Sequence, residues 1–504
     1  MTKRLYALLL LAAVTAASVS SCGDNSAAQS SADPQTPADN DAPTEAAETE
    51  AYFGGVLPAG LDLGGRTIRI MSDYNSEGDA FTLNAKEATG DIVNDAVYNR
   101  NLEVQSALNV TLTCDDYYIG ATDAASTIGK SVQAGSDDYD IVFGLQWDIV
   151  PLVLDNIFMN IADAKYLDIE QPWWYQDYIR ELSVGKDKMY FVTGDITLGV
   201  LRNMSCMYVN KSLYTQYYES ADEIYQEVLD GKWTLDALAE RCAEVYQDLN
   251  GDGKMDENDR FGIAVNRANL TDHFTYDAGV RATARDADNI PYITMNNEKT
   301  ATFTQKLYDL YYNNRGTYVL PDMPGSDDTD VIMPNMLNAD GLLYMPGWFY
   351  TSEVLRNKEV SYAVIPFPKF DENQETYLSL AHDVATVVCV PTTAKGLDDI
   401  SAVMEALAYG GYRDILPAYY EVAIKIKYSR DSTDTAMRVL DIIHDNTTTD
   451  FAYIYNYAMN NLGLIERDLM TKKQANFSSL YSKSEKGYQK NLDKLIATFT
   501  EIDN

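Results

Sequence analysis

The sequence predicts an α/β chain of two lobes, each a mostly parallel sheet flanked by helices. Three observations predict it. Of the 504 residues, about 440 follow a non-globular N-terminal stretch, more than one ordinary hydrophobic core serves. Strand-like and helix-like patterns alternate along that length, the order that builds α/β sheets. The strand-like segments are continuous apolar runs, as strands buried on both faces are, and each ends at Gly or Pro ahead of polar and aromatic residues. No repeat of about 20–50 residues is present.

The chain opens MTKRLYALLLLAAVTAASVSSC. Lys3 and Arg4 precede an apolar run, Leu5 to Ala17, too short to span a bilayer and right for an export signal. Val19-Ser20-Ser21-Cys22 has the pattern of a bacterial lipobox. That makes residues 1–21 a signal peptide and Cys22 a lipidated N-terminus, anchored to the outer side of the cell membrane at about 0.8 kcal/mol per buried methylene. Residues 23 to 64 hold no Lys or Arg and much Ala, Ser, Thr, Pro, Asp and Glu. Such a segment cannot bury enough apolar surface to fold, so residues 22–64 read as a lipidated, disordered acidic tether with a reach of about 35 Å. The folded body is expected to begin near Leu63.

Within the body, Thr67 to Met71 leads to Asp73-Tyr74-Asn75, and Tyr139 to Phe143 leads to Gly144 and Gln146-Trp147-Asp148. Met189 to Val192 leads to Gly194-Asp195, Gly341 to Met345 leads to Pro346-Gly347-Trp348-Phe349-Tyr350, and Ala385 to Val390 leads to Pro391. Helices fall between. Val93, Val97, Val104 and Leu108 share one face; Thr234 is placed to cap a helix that follows Trp233; Tyr488, Leu492, Leu495, Phe499 and Ile502 line a last helix near 485–502.

Ligands of open α/β sheets bind beyond the carboxyl ends of the strands, so those ends supply the candidate ligand-binding residues: Trp147, Asp148, Asp195, Trp348 and Tyr350, with Arg202 and the pair His382-Asp383 as further candidates. Trp173 and Trp174 either line the same cleft or pack in a core. There are 37 Tyr against 14 Phe, and polar-tipped rings suit surfaces that meet water or a polar ligand. A sugar offers C–H faces for rings to stack on and a hydroxyl rim that charged groups bond at roughly 1.5–3 kcal/mol each.

One short motif stands apart. DLNGDGKMDEND, residues 248 to 259, has the spacing of a calcium loop, with oxygen donors from Asp248, Asn250, Asp252, the carbonyl of Lys254, Asp256 and Asp259, Gly253 at the sharp turn and Met255 as an apolar contact. It occurs once, whereas calcium sensors pair such loops, so the expected role is a structural Ca2+ that braces the second lobe.

Other chemistry is absent or weak. No GxSxG or HExxH occurs, and Gly129-Lys130-Ser131 lacks the leading glycine of a phosphate loop. The many carboxylates leave room for a glycosidase pair, which needs two carboxyls about 5–9 Å apart in one cleft. A formal net charge of −37 disfavours nucleic acid and anionic headgroups as partners. Cys114, Cys206, Cys242 and Cys389 are scattered and read as buried free thiols; His273, His382 and His444 have no metal-ligand spacing.

TGDIVNDAVYNRNLEVQSALNV, SDDYDIVFG, PWWYQDYI, KMYFVTGDITLG, MYVNKSLY, GKWTLDALAE, DLNGDGKMDENDRFGI, LLYMPGWFY and YAVIPFP, in that order behind a lipobox, resemble a bacterial extracellular solute-binding lipoprotein of the sugar-type ABC-transporter family, the maltose-binding-like class known as solute-binding family 1, close to members from Gram-positive gut anaerobes. The resemblance covers roughly 65 to 504. It implies a periplasmic-binding-protein-like fold of type II, with hinge crossovers between lobe one (65–192 plus 376–428) and lobe two (193–375 plus 429–504). It implies an aromatic sugar platform at Trp348 and Tyr350, where maltose-binding members have Trp at the second position, and a ligand-contacting turn at Trp147 and Asp148. It implies a monomer that captures a carbohydrate by lobe closure, without chemistry, and delivers it to a membrane permease. A surface glycoside hydrolase and, behind it, a calcium-dependent adhesion module are the alternatives.

Overall fold

The computed structural model describes residues 51–118, 123–322, 328–424 and 430–502. The signal peptide, Cys22 and the tether up to residue 50 lie outside the described residues.

Two mixed sheets carry the fold. Their strands are β1 (Arg66–Tyr74), β2 (Val110–Tyr118), β3 (Ile141–Leu145), β4 (Ser205–Asn210), β5 (Phe261–Val265), β6 (Thr317–Val319), β7 (Leu342–Trp348), β8 (Tyr362–Ile365) and β9 (Thr386–Cys389). The first sheet runs β9-β3-β1-β2 and the second β6-β5-β7-β4-β8. The α/β, two-lobed class is as expected, and the mostly parallel sheets each carry one reversed strand. In the first, β1 lies parallel to β2 and β3 while β9 runs against β3. In the second, β4 runs against both β7 and β8. The reason is the path of the chain. β4 is entered by the segment that has just left the first sheet, and β9 by the segment that has just left the second. Each therefore runs opposite to the strand it joins.

Local signals act as the sequence dictates. Asp91 caps the helix Ile92–Leu108 by accepting from Val93 and Asn94 N–H, and Val93, Val97, Val104 and Leu108 are its buried face. Thr234 caps Leu235–Val245 through Ala237 N–H. Trp233 is wholly buried and donates its indole N–H to the Pro366 carbonyl. The last helix, Phe477–Glu501, starts earlier than its apolar stripe suggested and buries Tyr488, Leu492, Leu495 and Phe499. Gly129-Lys130-Ser131 sits inside the helix Ala124–Gln133, which Asp123 caps, so no phosphate-binding loop forms there. The four body cysteines are free, three of them buried and Cys114 half-buried.

Two expectations are corrected. Residues 51–58, ahead of Leu63, belong to the folded body: Ala51–Tyr52 pairs with Leu57–Pro58, and Phe53 and Leu57 enter the core. The few apolar residues at the end of an otherwise polar stretch suffice because they dock on a surface already made. Gly54 permits it, having φ +68° and lying where a Cβ would fall 2.7 Å from the Trp173 ring. Met189 to Val192 is not a sheet strand; it makes one isolated bridge, Val192 to Val388.

Candidate functional site

The carboxyl ends of the two sheets meet through the segment 382–385. Leu145 at the end of β3 pairs with Thr386 at the start of β9. Just beyond, Gln146 N–H donates to the Ala385 carbonyl and Trp147 N–H to the Asp383 carbonyl, both at 3.0 Å. His382 then reaches the second lobe. Its ring lies 5.5 Å from Trp348 and 6.1 Å from His273, centre to centre.

Trp348 ends β7, inside the strand rather than past it. Its ring stacks on Tyr350 at 5.6 Å with 11° between the planes, and its edge contacts His273 at 5.3 Å. The Tyr350 hydroxyl donates to Asp330 at 2.7 Å. Although Trp348 is only 3% exposed, its indole N–H has no acceptor. His273, on the helix Asn269–Asp277, is wholly buried and neither ring nitrogen has a partner. Burial, and then the neighbouring His382 and Arg467, push its pKa well below the ordinary value, so the ring is neutral and offers one donor and one acceptor. The Tyr453 hydroxyl and Gln146 Nε2 are likewise buried without partners, the latter on a side chain whose Oε1 accepts from Tyr178. Buried polar side chains nearly always find a partner; here the Trp348 indole and the His273 ring, in edge contact with each other, both lack one.

Charges around this group are mostly settled. Arg467 pairs with Asp272. Burial raises Asp272 to about 6, against the pull of Arg467. His382 Nδ1 lies 2.8 Å from Asp383 Oδ1. Burial lifts the Asp383 carboxyl, but His382 and Arg467 bring it below the usual range. Asp148 is half-buried on the turn after β3, and burial raises its pKa.

The structure thus brings Trp147, Asp148, Trp348, Tyr350, His382 and Asp383 into one neighbourhood. It does not bring the other candidates there as free groups. Arg202 is tied bidentately to Glu353 at 2.9 and 3.0 Å and to Asp79 at 2.8 Å, with Tyr350 on one side and Phe81 on another. It buttresses the platform. Asp195 is buried in the crossover after Val192, accepting from the Tyr175 hydroxyl at 2.6 Å and lying 3.0 Å from His444 Nε2. Gly411 passes so close that a Cβ there would lie 1.7 Å from the Asp195 carbonyl. Trp173 and Trp174 are core residues, each 3% exposed, and both indole N–H groups are taken by Glu405 at 2.8 and 3.0 Å.

His273, Asp272, Arg467, Tyr453 and Gln146 were not candidates from sequence. His273 was findable in part, since TDHFTYDAG follows the end of β5 as the other clusters follow their strands.

In the loop 248–259, Gly253 takes φ +72° at the turn expected of it. Asp248 Oδ1 and Oδ2 accept from Gly251 and Gly253 N–H at 2.6 and 3.0 Å. Asp252 accepts from Lys254 N–H at 2.8 Å and Asp256 from Asn258 N–H at 2.9 Å. Asp259 is buried beneath Leu249 N–H. Donor types and turn fit calcium, but each carboxylate is occupied by a local amide, and among the described residues no three His, Cys, Asp or Glu side chains are gathered to hold an ion. Met255, expected as the loop's apolar contact, is 48% exposed instead.

No protein-family model and no curated protein matches the chain. Solved structures do. A cyclo/maltodextrin-binding protein complexed with maltotetraose superposes with a TM-score of 0.53 at 10% identity, covering 86% of this chain and 96% of that one. An ABC transporter solute-binding protein from Thermotoga lettingae bound with α-D-tagatose gives 0.52 at 10%, covering 85% and 100%. UgpB from Mycobacterium tuberculosis in complex with glycerophosphocholine gives 0.52 at 12%, covering 84% and 98%. At these identities the likeness establishes the architecture, that of two-lobed solute-binding proteins.

Proposed function

We propose that this chain is the extracellular substrate-binding component of an ABC importer, and that it captures a carbohydrate between its lobes and hands it unaltered to a membrane permease. The observation that carries the reading is the pair of stacked rings, Trp348 and Tyr350, beside buried polar groups with no protein partner: Trp348 N–H and both nitrogens of His273. Rings stack on the C–H faces of a pyranose, and its hydroxyls both donate and accept, as a neutral imidazole requires. The architecture shared with proteins solved on maltotetraose and tagatose supports the class of ligand.

Capture follows by hinge closure. A micromolar constant needs about −8.2 kcal/mol net, within reach of two stacked rings and several hydrogen bonds to groups already desolvated. In this reading the lipidated Cys22 holds a monomer at the outer face of the membrane and keeps its concentration near the permease high. The loop 248–259 has the donor types and turn for Ca2+, which on regrouping of its carboxylates would brace the second lobe outside the capture step. Calorimetry against mono- and oligosaccharides, with small-angle scattering before and after addition, tests the proposal. Saturable binding with compaction and unchanged sugar is expected; cleavage of the sugar, or no binding and a fixed scattering profile, rejects it.

A further inference from the structure

A cavity of about 450 Å3 opens in the first lobe, a size in the range of small-molecule sites. Tyr74 and Tyr118, paired at the ends of β1 and β2, line it together with Phe81 from the turn Glu77–Thr82. Phe81 and Tyr118 are half-buried. The same turn ties the cavity to the ring site. Asp79 holds Arg202 at 2.8 Å. The Arg202 guanidinium lies 5.4 Å from the centre of the Phe81 ring and 6.0 Å from that of Tyr350. Phe81 therefore belongs to both places: it lines the cavity, and it shares one guanidinium with the platform.

The polar lining suits an uncharged, hydroxyl-rich guest. Asn84 and Asn94 give their amide N–H groups to the protein, Asn84 to Asp116 at 3.3 Å and Asn94 to the Glu87 carbonyl at 2.8 Å and Asp95 at 3.1 Å. Among the described residues neither Oδ1 accepts a hydrogen bond, so two amide acceptors remain for hydroxyl donors. Lys86, the one cation of the lining, is paired with Asp116 at 3.1 Å, which leaves no free positive charge for an anion. Rings for a C–H face beside acceptors for a hydroxyl rim repeat, in the first lobe, the chemistry of Trp348 and Tyr350 in the second.

We infer that the cavity of Tyr74, Phe81 and Tyr118 is a second saccharide subsite, so that the ligand is an oligosaccharide with one unit on Trp348 and Tyr350 and a further unit in the first lobe. The inference rests on the carbohydrate reading above and narrows it. The test is calorimetry on the purified protein with length series of one to four units: glucose with maltose to maltotetraose, glucose with cellobiose to cellotetraose, mannose with its β-linked oligomers, and xylose with its β-linked oligomers. Within a series that binds, affinity should rise about tenfold or more from the shortest binding member to the tetrasaccharide. Phe81→Ala should remove most of that gain and leave the shortest member within about twofold of wild type. Tyr118→Ala, at the end of an edge strand, should do the same and serves where Phe81→Ala does not fold. Equal constants along the series, or variants that weaken the shortest and longest members alike, overturn this inference and leave carbohydrate capture standing. If no saccharide binds in these series or in the wider screen, the carbohydrate reading itself falls and takes this one with it.

Discussion

His273→Phe should move stability and affinity in opposite directions. In the ligand-free protein His273 is wholly buried with two unpartnered nitrogens, and an unmet buried polar group costs about 1–3 kcal/mol. The surroundings already accept an aromatic ring, with Trp348 at 5.3 Å, Phe367 at 5.6 Å and His382 at 6.1 Å. A phenyl removes the unmet groups and adds slight overpacking, of order 1 kcal/mol. The net gain of up to about 2 kcal/mol corresponds to up to roughly 2 °C in Tm for a folded body of this length. The pH dependence sharpens the test. The folded pKa of His273 is depressed, so below the ordinary value of 6.5 the unfolded chain takes a proton that the folded chain refuses, and stability falls with pH. The variant lacks that loss, and its advantage should grow by up to about 1.4 kcal/mol per pH unit below 6.5. Sugar affinity should drop about tenfold or more, since a ligand hydroxyl is left without its partner. Scanning fluorimetry at two pH values and calorimetry read the two effects. A lower Tm at every pH with an unchanged Kd would refute the reasoning, because it would make the imidazole structural.

Three further outcomes are expected. Glu466 is buried with one unpartnered oxygen, and burial, only partly opposed by the Thr304 hydroxyl, pushes it up to about 8; the unfolded chain ionises from about 4.5, so stability is lost as pH rises from there toward 8, and Glu466→Gln should raise Tm increasingly across that window. A Tm difference flat with pH contradicts this. His444 loses charge stability by burial but regains more from Asp195 and then Asp445, reaching about 10; its contribution is complete below 6.5 and lost as pH rises through about 10. His444→Gln should destabilise by about 3–5 kcal/mol at neutral pH, as breaking a buried pair does, and a denaturation midpoint equal to wild type would show that the Asp195–His444 pair does not stabilise the fold. Chelation should lower Tm while leaving sugar Kd within about twofold, because residues 248–259 make no part of the ring site; a large loss of affinity with the fold retained would place calcium in capture.

The strand-end clusters were legible because both halves of the signal are local: an apolar run that seeks burial, and polar rings where the run stops. Trp147, Asp148, Trp348 and Tyr350 became candidates that way, with His382 and Asp383 added as further candidates. The same rule drew in Asp195, and Trp173 and Trp174 were left between cleft and core; the fates of all three depend on partners no local window contains. His444 lies 249 residues from Asp195, and Glu405 more than 230 from either tryptophan. Arg202 reads as an available cation until Glu353, 151 residues on, occupies it.

By itself the sequence determined the class of fold, its caps and turns, and which segments end in chemistry-bearing residues, since periodicity, propensity and N-cap geometry act within a few positions. The tertiary structure alone decided that two strands run antiparallel, that residues 51–58 belong to the body, and which polar groups are left unpaired. Pairing is a competition among groups far apart in sequence. Only when the competitors are packed does it emerge that Asp195 and Arg202 are satisfied while His273 and the Trp348 indole are left wanting a partner.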